Sequence, residues 1–227
     1  MSVFGAKYGV MDMEPIIERL QKLDVASVSD AMDKLGVPCG LRGLHAVVPG
    51  KHICGRAFTV HYVPNGVVKG NVGDFLDDVR PGEVVVIDNG GRDYCTVWGD
   101  IMTFVAVKKG IAGTVIDGVC RDIPGIKAND YAIFTKSTYM VTGKDRVTVD
   151  YVNRPVAVSD VQVCPGDIIL ADDTGVVCIP DALAEKAANI AEDIEKTEQA
   201  IIAEVKNGMS LKDARTKLGY HHLQTKA

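Results

Sequence analysis

The chain has no pair of cysteines at the two-residue spacing of a zinc knuckle or redox motif. Cys39, Cys54, Cys95, Cys120, Cys164 and Cys178 are scattered singly, and with no export signal free buried thiols are the expected state. Nor is there an excess of positive charge. Lys and Arg number 25 against 30 Asp and Glu, a formal net charge of −5, so little is left to neutralise a phosphate backbone and a general nucleic-acid binder is not expected. A membrane-spanning run is also missing: Met1 to Pro15 breaks its apolar residues with Lys7, Asp12 and Glu14, which suits neither a secretory leader nor a bilayer span. The expectation is a cytoplasmic protein with no membrane or nucleic-acid partner.

What is present is enough apolar material for a full core, 47% of 227 residues, and one large domain is expected. Ile16, Ile17, Leu20 and Leu23 recur at helical spacing within Glu14 to Leu23, and Ser29 or Asp30 is the expected start of a second short helix ending near Gly36. Arg56 to Val63 reads as a strand halted by Pro64-Asn65-Gly66. Pro81-Gly82-Glu83 turns into a buried strand, Val84 to Ile87, and a glycine loop, Asn89 to Gly91, is expected after it. A helix from about Gly99 to Lys109 ends at Gly110, and Thr114-Val115-Ile116 forms the next strand. Strand, helix, strand with short connections implies a crossover between parallel strands. Tyr131 to Lys136, Val156 to Val163 and Ile168 to Leu170 add strand signals, the last entered through Pro165-Gly166-Asp167. Asp181 to Asn207, with no interior Gly or Pro, is expected to be a long helix that covers the sheet or reaches a neighbouring subunit.

The chemistry concentrates in two segments that the crossover brings together. Trp98-Gly99-Asp100 opens the helix, and Gly118-Val119-Cys120-Arg121-Asp122 follows the next strand, so both lie at carboxyl ends of parallel strands, where ligands usually bind. The helix start offers unpaired amides from Gly99 through Met102 to a carboxylate. Arg121 can hold a carboxylate or enolate in a two-pronged grip. Taken singly, Arg121-Asp122 is an ordinary ion pair and Asp100 an ordinary first-turn acid. Cys120 beside Arg121 raises a nucleophilic thiol, but no His lies near it in sequence. His61 reads as a packed strand histidine, Gly90-Gly91 equally as a tight turn or as a place where backbone approaches a ligand closely, and His221-His222 carry no assigned role.

Asp100, twenty intervening residues, then Arg121-Asp122 resembles the signature of the RraA-like family, which includes class II pyruvate aldolases acting on 4-hydroxy-4-methyl-2-oxoglutarate and 4-carboxy-4-hydroxy-2-oxoadipate. Flanking stretches agree: Pro81 to Asp88, Val115-Ile116-Asp117-Gly118, Pro165-Gly166-Asp167 and Ala171 to Val176. The likeness spans about Val28 to Pro180, leaving about 181–227 as a C-terminal helical extension. It implies an α/β fold, an α-β-β-α sandwich like the swivelling phosphohistidine domains, with a long C-terminal helix, assembled as a homotrimer or homohexamer.

The resemblance further implies a lyase that cleaves a 4-hydroxy-2-oxo acid to pyruvate by retro-aldol chemistry and can decarboxylate oxaloacetate. Asp122 matches the carboxylate that holds Mg²⁺ or Mn²⁺ largely through water. Arg121 matches the residue that steadies enolate charge, and Asp100 the one that orients or deprotonates a water. Gly99 and the amides of Ile101 and Met102 match the carboxylate-binding turn. Glu198, with Glu195 close behind, matches an acid donated by a neighbouring subunit. One departure stands out: Gly125 replaces the acid that aldolase members carry three positions after the metal-binding Asp. Two alternatives follow from the same resemblance: a non-catalytic regulator that binds an endoribonuclease, and another enolate-forming enzyme on a 2-oxo acid.

Overall fold

The computed structural model describes residues 14–67 and 70–220; His221-His222, residues 1–13 of the amino-terminal stretch, and Val68 and Lys69 lie outside them. Two helices lead. The first, α1 (Pro15–Leu20), starts on a proline, whose fixed φ suits a first helical turn. The second, α2, runs over Val25–Lys34, not from Ser29 or Asp30. The correction has a local cause: the Asp24 carboxylate accepts the Ser27 N–H at 2.6 Å, which caps the helix five residues earlier than Ser29 would.

The strands follow as β1 (His45–Ala46), β2 (Ile53–Pro64) and β3 (Val84–Thr96). The helix α3 (Asp100–Lys109) comes next, then β4 (Gly113–Cys120), α4 (Ile123–Ala128), β5 (Ile133–Thr138) and β6 (Val147–Val152). The chain continues through β7 (Val156–Val158), β8 (Val161–Val163), β9 (Ile168–Asp172) and β10 (Gly175–Ile179). It closes with α5 (Ala184–Lys206) and α6 (Leu211–Lys217). In the main sheet the order is β1-β5-β4-β3-β2-β9-β10, with β6 also on β2. The β2, β3, β4 and β5 neighbours are parallel, while β9, β10, β6 and β1 join antiparallel.

Two strand expectations need correction. β3 does not stop at Ile87: it runs through Gly90 (φ 57°) and Gly91 (φ 67°), and its register against β4 shifts between Asp88 and Arg92. Left-handed glycines here build a bulge, which bends a strand without ending it. Val156 to Val163 is not one strand but the hairpin β7–β8, turning at Ser159 (φ 49°) and Asp160 (φ 69°).

Three apolar clusters fill the interior. Alternate residues of β9 and β10 face opposite ways: Ile168, Leu170, Val177 and Ile179 pack with α1, α2 and α5, while Ile169, Ala171, Val176 and Cys178 pack with Val84, Val86, Val115 and Phe134 of the parallel strands. The other face of those strands, Val85, Ile87 and Ile116, packs with Ala106 of α3 and Ile126 of α4. Each fully buried Ile or Leu contributes about 1.5–3 kcal/mol, enough to fix which face of each strand looks outward. The result is a mixed α/β fold with a long C-terminal helix, in which α3 and α4 cover one face of β3 and β4 and begin near the carboxyl ends of those strands.

Candidate functional site

The crossover β3-α3-β4 delivers both sequence segments to one place. β3 and β4 are parallel, paired at Val86↔Val115 and Asp88↔Asp117. The turn between β3 and α3 is anchored by Trp98, 2% exposed. Its indole N–H donates to Thr103 Oγ1 at 2.9 Å, and its ring stacks on Tyr131 with centroids 6.0 Å apart. Thr96 Oγ1 donates to the Trp98 carbonyl at 2.9 Å, which also accepts the Arg121 N–H at 3.0 Å. Burying an indole with its N–H satisfied holds the turn firmly.

Asp122 occupies the left-handed region, φ 60° and ψ 41°, directly before α4. Asp tolerates this better than most residues, and such a conformation is held where the surroundings require it. Its Oδ2 accepts the Asp100 N–H at 3.2 Å and lies 3.4 Å from Arg121 Nε. Gly99 is required for this approach: a Cβ there would stand 2.5 Å from Asp122 Oδ2. Around the three side chains lies a cavity of about 240 Å³, lined also by Gly99, Ile101 and Met102.

The first turn of α3 is partly self-occupied. Asp100 Oδ1 accepts the Ile101 N–H at 2.8 Å, so a carboxylate already sits where the dipole and amides favour one. The dipole that holds the Asp100 carboxylate in place is the same one that would attract a ligand carboxylate. Gly125 also gains a physical reason. A Cβ on it would lie 2.9 Å from Asp100 Cβ, so the close approach of α4 to the start of α3 is incompatible with any larger residue in this arrangement.

The residues suit a hard, hydrated cation. Among the described residues no group of three or more His, Cys, Asp or Glu is placed to hold a metal ion, which excludes a closed protein cage there. A magnesium-like ion needs only one or two carboxylates and keeps its waters. Asp122 offers that: Oδ2 is tied down while Oδ1 makes no hydrogen bond to the described residues.

Glu198 is elsewhere within the chain. It lies on α5 and lines a separate cavity with Lys22, Asp24, His52, Glu195 and Ile202. Burial pushes its carboxyl above the ordinary range, with Asp24, Asp30 and Glu195 adding to the effect. Cys120 is fully buried, and burial pushes its thiol up to about 12, leaving no thiolate at neutral pH for nucleophilic work. His61 is packed and paired, its Nδ1 2.9 Å from Asp88 Oδ2 and its ring stacked on Tyr151 at 4.8 Å.

Sequence reasoning did not single out Thr96, Val72, Gly73 or Lys144, which line the cavity; Thr142, also on its wall, closes the loop Lys136 to Thr142 in which residues for the distal half of a substrate are expected. None carries a motif; the later segment reaches the site through the bridge of Thr96 with Thr142, the Thr96 N–H to the Val141 carbonyl and the Tyr139 N–H to the Cys120 carbonyl.

The parallel α/β crossover gathers an arginine and two aspartates at its carboxyl end, where ligands of such sheets usually bind. The RraA-like family model, described as Aldolase/RraA, matches residues 25–178, and the chain belongs to that family. It is 36% identical over 211 residues to protein DlpA of Legionella pneumophila, covering 92% of this chain but only 34% of that protein. The chain therefore spans about a third of the length of that relative. A Halalkalibacterium halodurans protein named as a candidate 4-hydroxy-4-methyl-2-oxoglutarate aldolase is 30% identical over 196 residues, 82% of this chain and 88% of that one. Among solved structures, Streptomyces coelicolor RraAS2, titled an unusual member of the RNase ES inhibitor RraA protein family, superposes with a TM-score of 0.76 at 27% identity, covering 82% of this chain and 95% of that one. Among the described residues no helix is long and apolar enough to cross a membrane.

Proposed function

We propose that this protein is a divalent-metal-dependent carbon–carbon lyase that cleaves a 4-hydroxy-2-oxo acid to pyruvate, with oxaloacetate decarboxylation as the same enolate chemistry. The supporting observation is the convergence of Asp100, Arg121 and Asp122 on one cavity at the α3 start. The aldolase name carried by the H. halodurans relative agrees with it.

The residues divide the work as follows. The α3 turn, through Gly99 and the amides of Ile101 and Met102, receives the substrate carboxylate once Asp100 Oδ1 gives up the Ile101 N–H. Arg121 faces the 2-oxo oxygen and steadies negative charge as it develops, commonly the largest catalytic contribution. A water oriented by Asp100 takes the proton of the 4-hydroxyl. The bond between carbons 3 and 4 breaks, carbon 4 departs as a carbonyl, and the electron pair is received as the pyruvate enolate. A proton returned to carbon 3 completes pyruvate. Asp122 would hold Mg²⁺ or Mn²⁺, which when bound supplies Lewis-acid polarisation of the 2-oxo group. In this reading the working form is a cytoplasmic homotrimer or homohexamer in which a neighbour's Glu198 closes the site.

A non-catalytic regulator is the second reading. It is favoured by Gly125, which removes an acid from beside the metal-binding Asp, and by the inhibitor-family title of RraAS2. A coupled assay for pyruvate released from 4-hydroxy-4-methyl-2-oxoglutarate and oxaloacetate separates the two. The lyase gives turnover with Mg²⁺ that chelator abolishes and Mg²⁺ restores; no metal-dependent turnover on any 2-oxo acid leaves the regulator ahead.

A further inference from the structure

Gly99 permits the close approach of Asp122, yet a glycine leaves the peptides beside it freer to rotate than any other residue does. The peptide that follows it carries the Asp100 N–H, which Asp122 Oδ2 accepts at 3.2 Å. That bond lasts only while the peptide keeps one orientation. A trans peptide is planar, with its carbonyl and its N–H pointing opposite ways, so whatever holds the Gly99 carbonyl also directs the Asp100 N–H.

Thr103 holds it from inside the protein. Its Oγ1 donates to the Gly99 carbonyl at 2.9 Å, and its backbone N–H donates to the same oxygen at 3.0 Å. A helical threonine that bonds back to the carbonyl four residues earlier is ordinary, and Thr197 and Thr216 do so on exposed helix faces. Thr103 differs from both. It is fully buried, and its hydroxyl also accepts the Trp98 indole N–H at 2.9 Å, so it receives on one side and donates on the other. One line of hydrogen bonds therefore runs from the indole through Thr103 and the Gly99–Asp100 peptide to the Asp122 carboxylate. Bonds joined in this way polarise one another where water is excluded.

We infer that Thr103 is a positioning residue for the metal-binding acid: by locking the Gly99–Asp100 peptide it keeps Asp122 Oδ2 engaged and leaves Oδ1 for the ion. Thr103 has no exposed surface, so it acts through Asp122 and touches neither ion nor substrate. This rests on the reading of Asp122 as the ligand of Mg²⁺ or Mn²⁺ and adds a residue that sets how tightly the ion is held. A partner one step behind a metal ligand is typically worth about 10–100-fold in metal affinity.

The test is titration of the full chain with Mn²⁺, read from the electron paramagnetic resonance signal of the free ion, at a temperature where circular dichroism shows each variant folded. Thr103→Val keeps the shape and loses the hydroxyl, and should weaken Mn²⁺ binding about tenfold or more. Should that variant not fold, Thr103→Ala, which leaves room for a water on the indole N–H, carries the same expectation. Thr103→Ser keeps the hydroxyl and should restore native affinity. Thr114→Val is the control for stability alone. It removes an equally buried hydroxyl, the one paired at 2.9 Å with Tyr131, on whose ring Trp98 stacks. It should lower the melting temperature and leave Mn²⁺ affinity unchanged. Native affinity without the Thr103 hydroxyl, a loss that serine does not restore, or equal weakening by Thr114→Val overturns the inference and leaves the metal site intact. No Mn²⁺ bound by the native protein, or binding that Asp122→Asn does not weaken, removes the metal reading and the inference with it.

Discussion

The Asp122 carboxylate accepts the Asp100 backbone N–H at 3.2 Å, which ties the end of β4 to the first turn of α3 and sets the two acids beside each other. The contact exists only because Gly99 has no side chain. Gly99→Ala would place a Cβ 2.5 Å from Asp122 Oδ2, so Asp122 has to move. The expected outcome is a fall in kcat/KM of about a hundredfold or more, with little change in melting temperature, since the Asp122 carboxylate that must give way is partly exposed and the Trp98 anchor is untouched.

Arg121→Ala is expected to lower kcat by about a hundredfold or more, the usual cost of deleting a charge-stabilising donor. Arg121→Lys keeps the charge but not the two-pronged geometry, and should recover only part of the loss. Circular dichroism should show both variants folded, because the Arg121 side chain is 40% exposed and its one ion pair among the described residues is to the adjacent Asp122. An Arg121→Ala enzyme with native turnover would remove this residue from the mechanism.

Gly125→Asp supplies the acid that the family resemblance leads one to expect at this position, yet it should not improve metal binding. A Cβ at 125 would meet Asp100 Cβ at 2.9 Å, and crowding of this sort costs about 1–3 kcal/mol. Gly125→Ala should show the same loss of stability without the added charge. Thermal unfolding and Mn²⁺ affinity measured together decide the matter: tighter Mn²⁺ binding at unchanged stability would contradict the packing reason given for Gly125.

Glu198 gives a pH-dependent expectation. Its carboxyl is raised by burial first and by Asp24, Asp30 and Glu195 next. A raised carboxyl binds its proton more tightly in the folded state, so its ionised form weakens folding above the folded value and that penalty is relieved as pH falls through it. Glu198→Gln should therefore melt higher than the native protein at pH 7–8, with the difference shrinking toward the ordinary glutamate value of 4.5. A difference independent of pH would mean that the titration of Glu198 is not its cause. Loss of kcat in the same variant would support its placement at a neighbouring subunit's site.

The legible parts of this chain are those where local chemistry and tertiary structure agree. α3 and its Gly110 stop were readable because an apolar helical run ends on a residue that tolerates the left-handed conformation, φ 72°. Both acidic turn entries were readable as well: Glu83 accepts the Arg80 N–H at 2.7 Å and Asp167 the Cys164 N–H at 2.8 Å, so the two echoing turns use one device to enter β3 and β9. What escaped was decided by pairing at a distance. Val147–Val152 alternates apolar and polar residues as a strand does, but only its pairing with the far half of β2 shows where it belongs. The bulge at Gly90-Gly91 resembled a loop because glycine's freedom looks the same in both. At the site, Asp100, Arg121 and Asp122 were legible as a spaced trio, whereas Lys144 was not, because the bonds that carry it there run through Thr96 and Gly143.

The central claim is that Asp122 and Arg121 serve a bound ion and a 2-oxo acid in one cavity. Crystals soaked with Mn²⁺ and oxalate, a planar mimic of pyruvate enolate, test it most directly through anomalous scattering. The expected result is a manganese peak beside Asp122 with oxalate between the ion, Arg121 and the first turn of α3. A manganese peak away from Asp122, or oxalate bound without contact to Arg121, would contradict it.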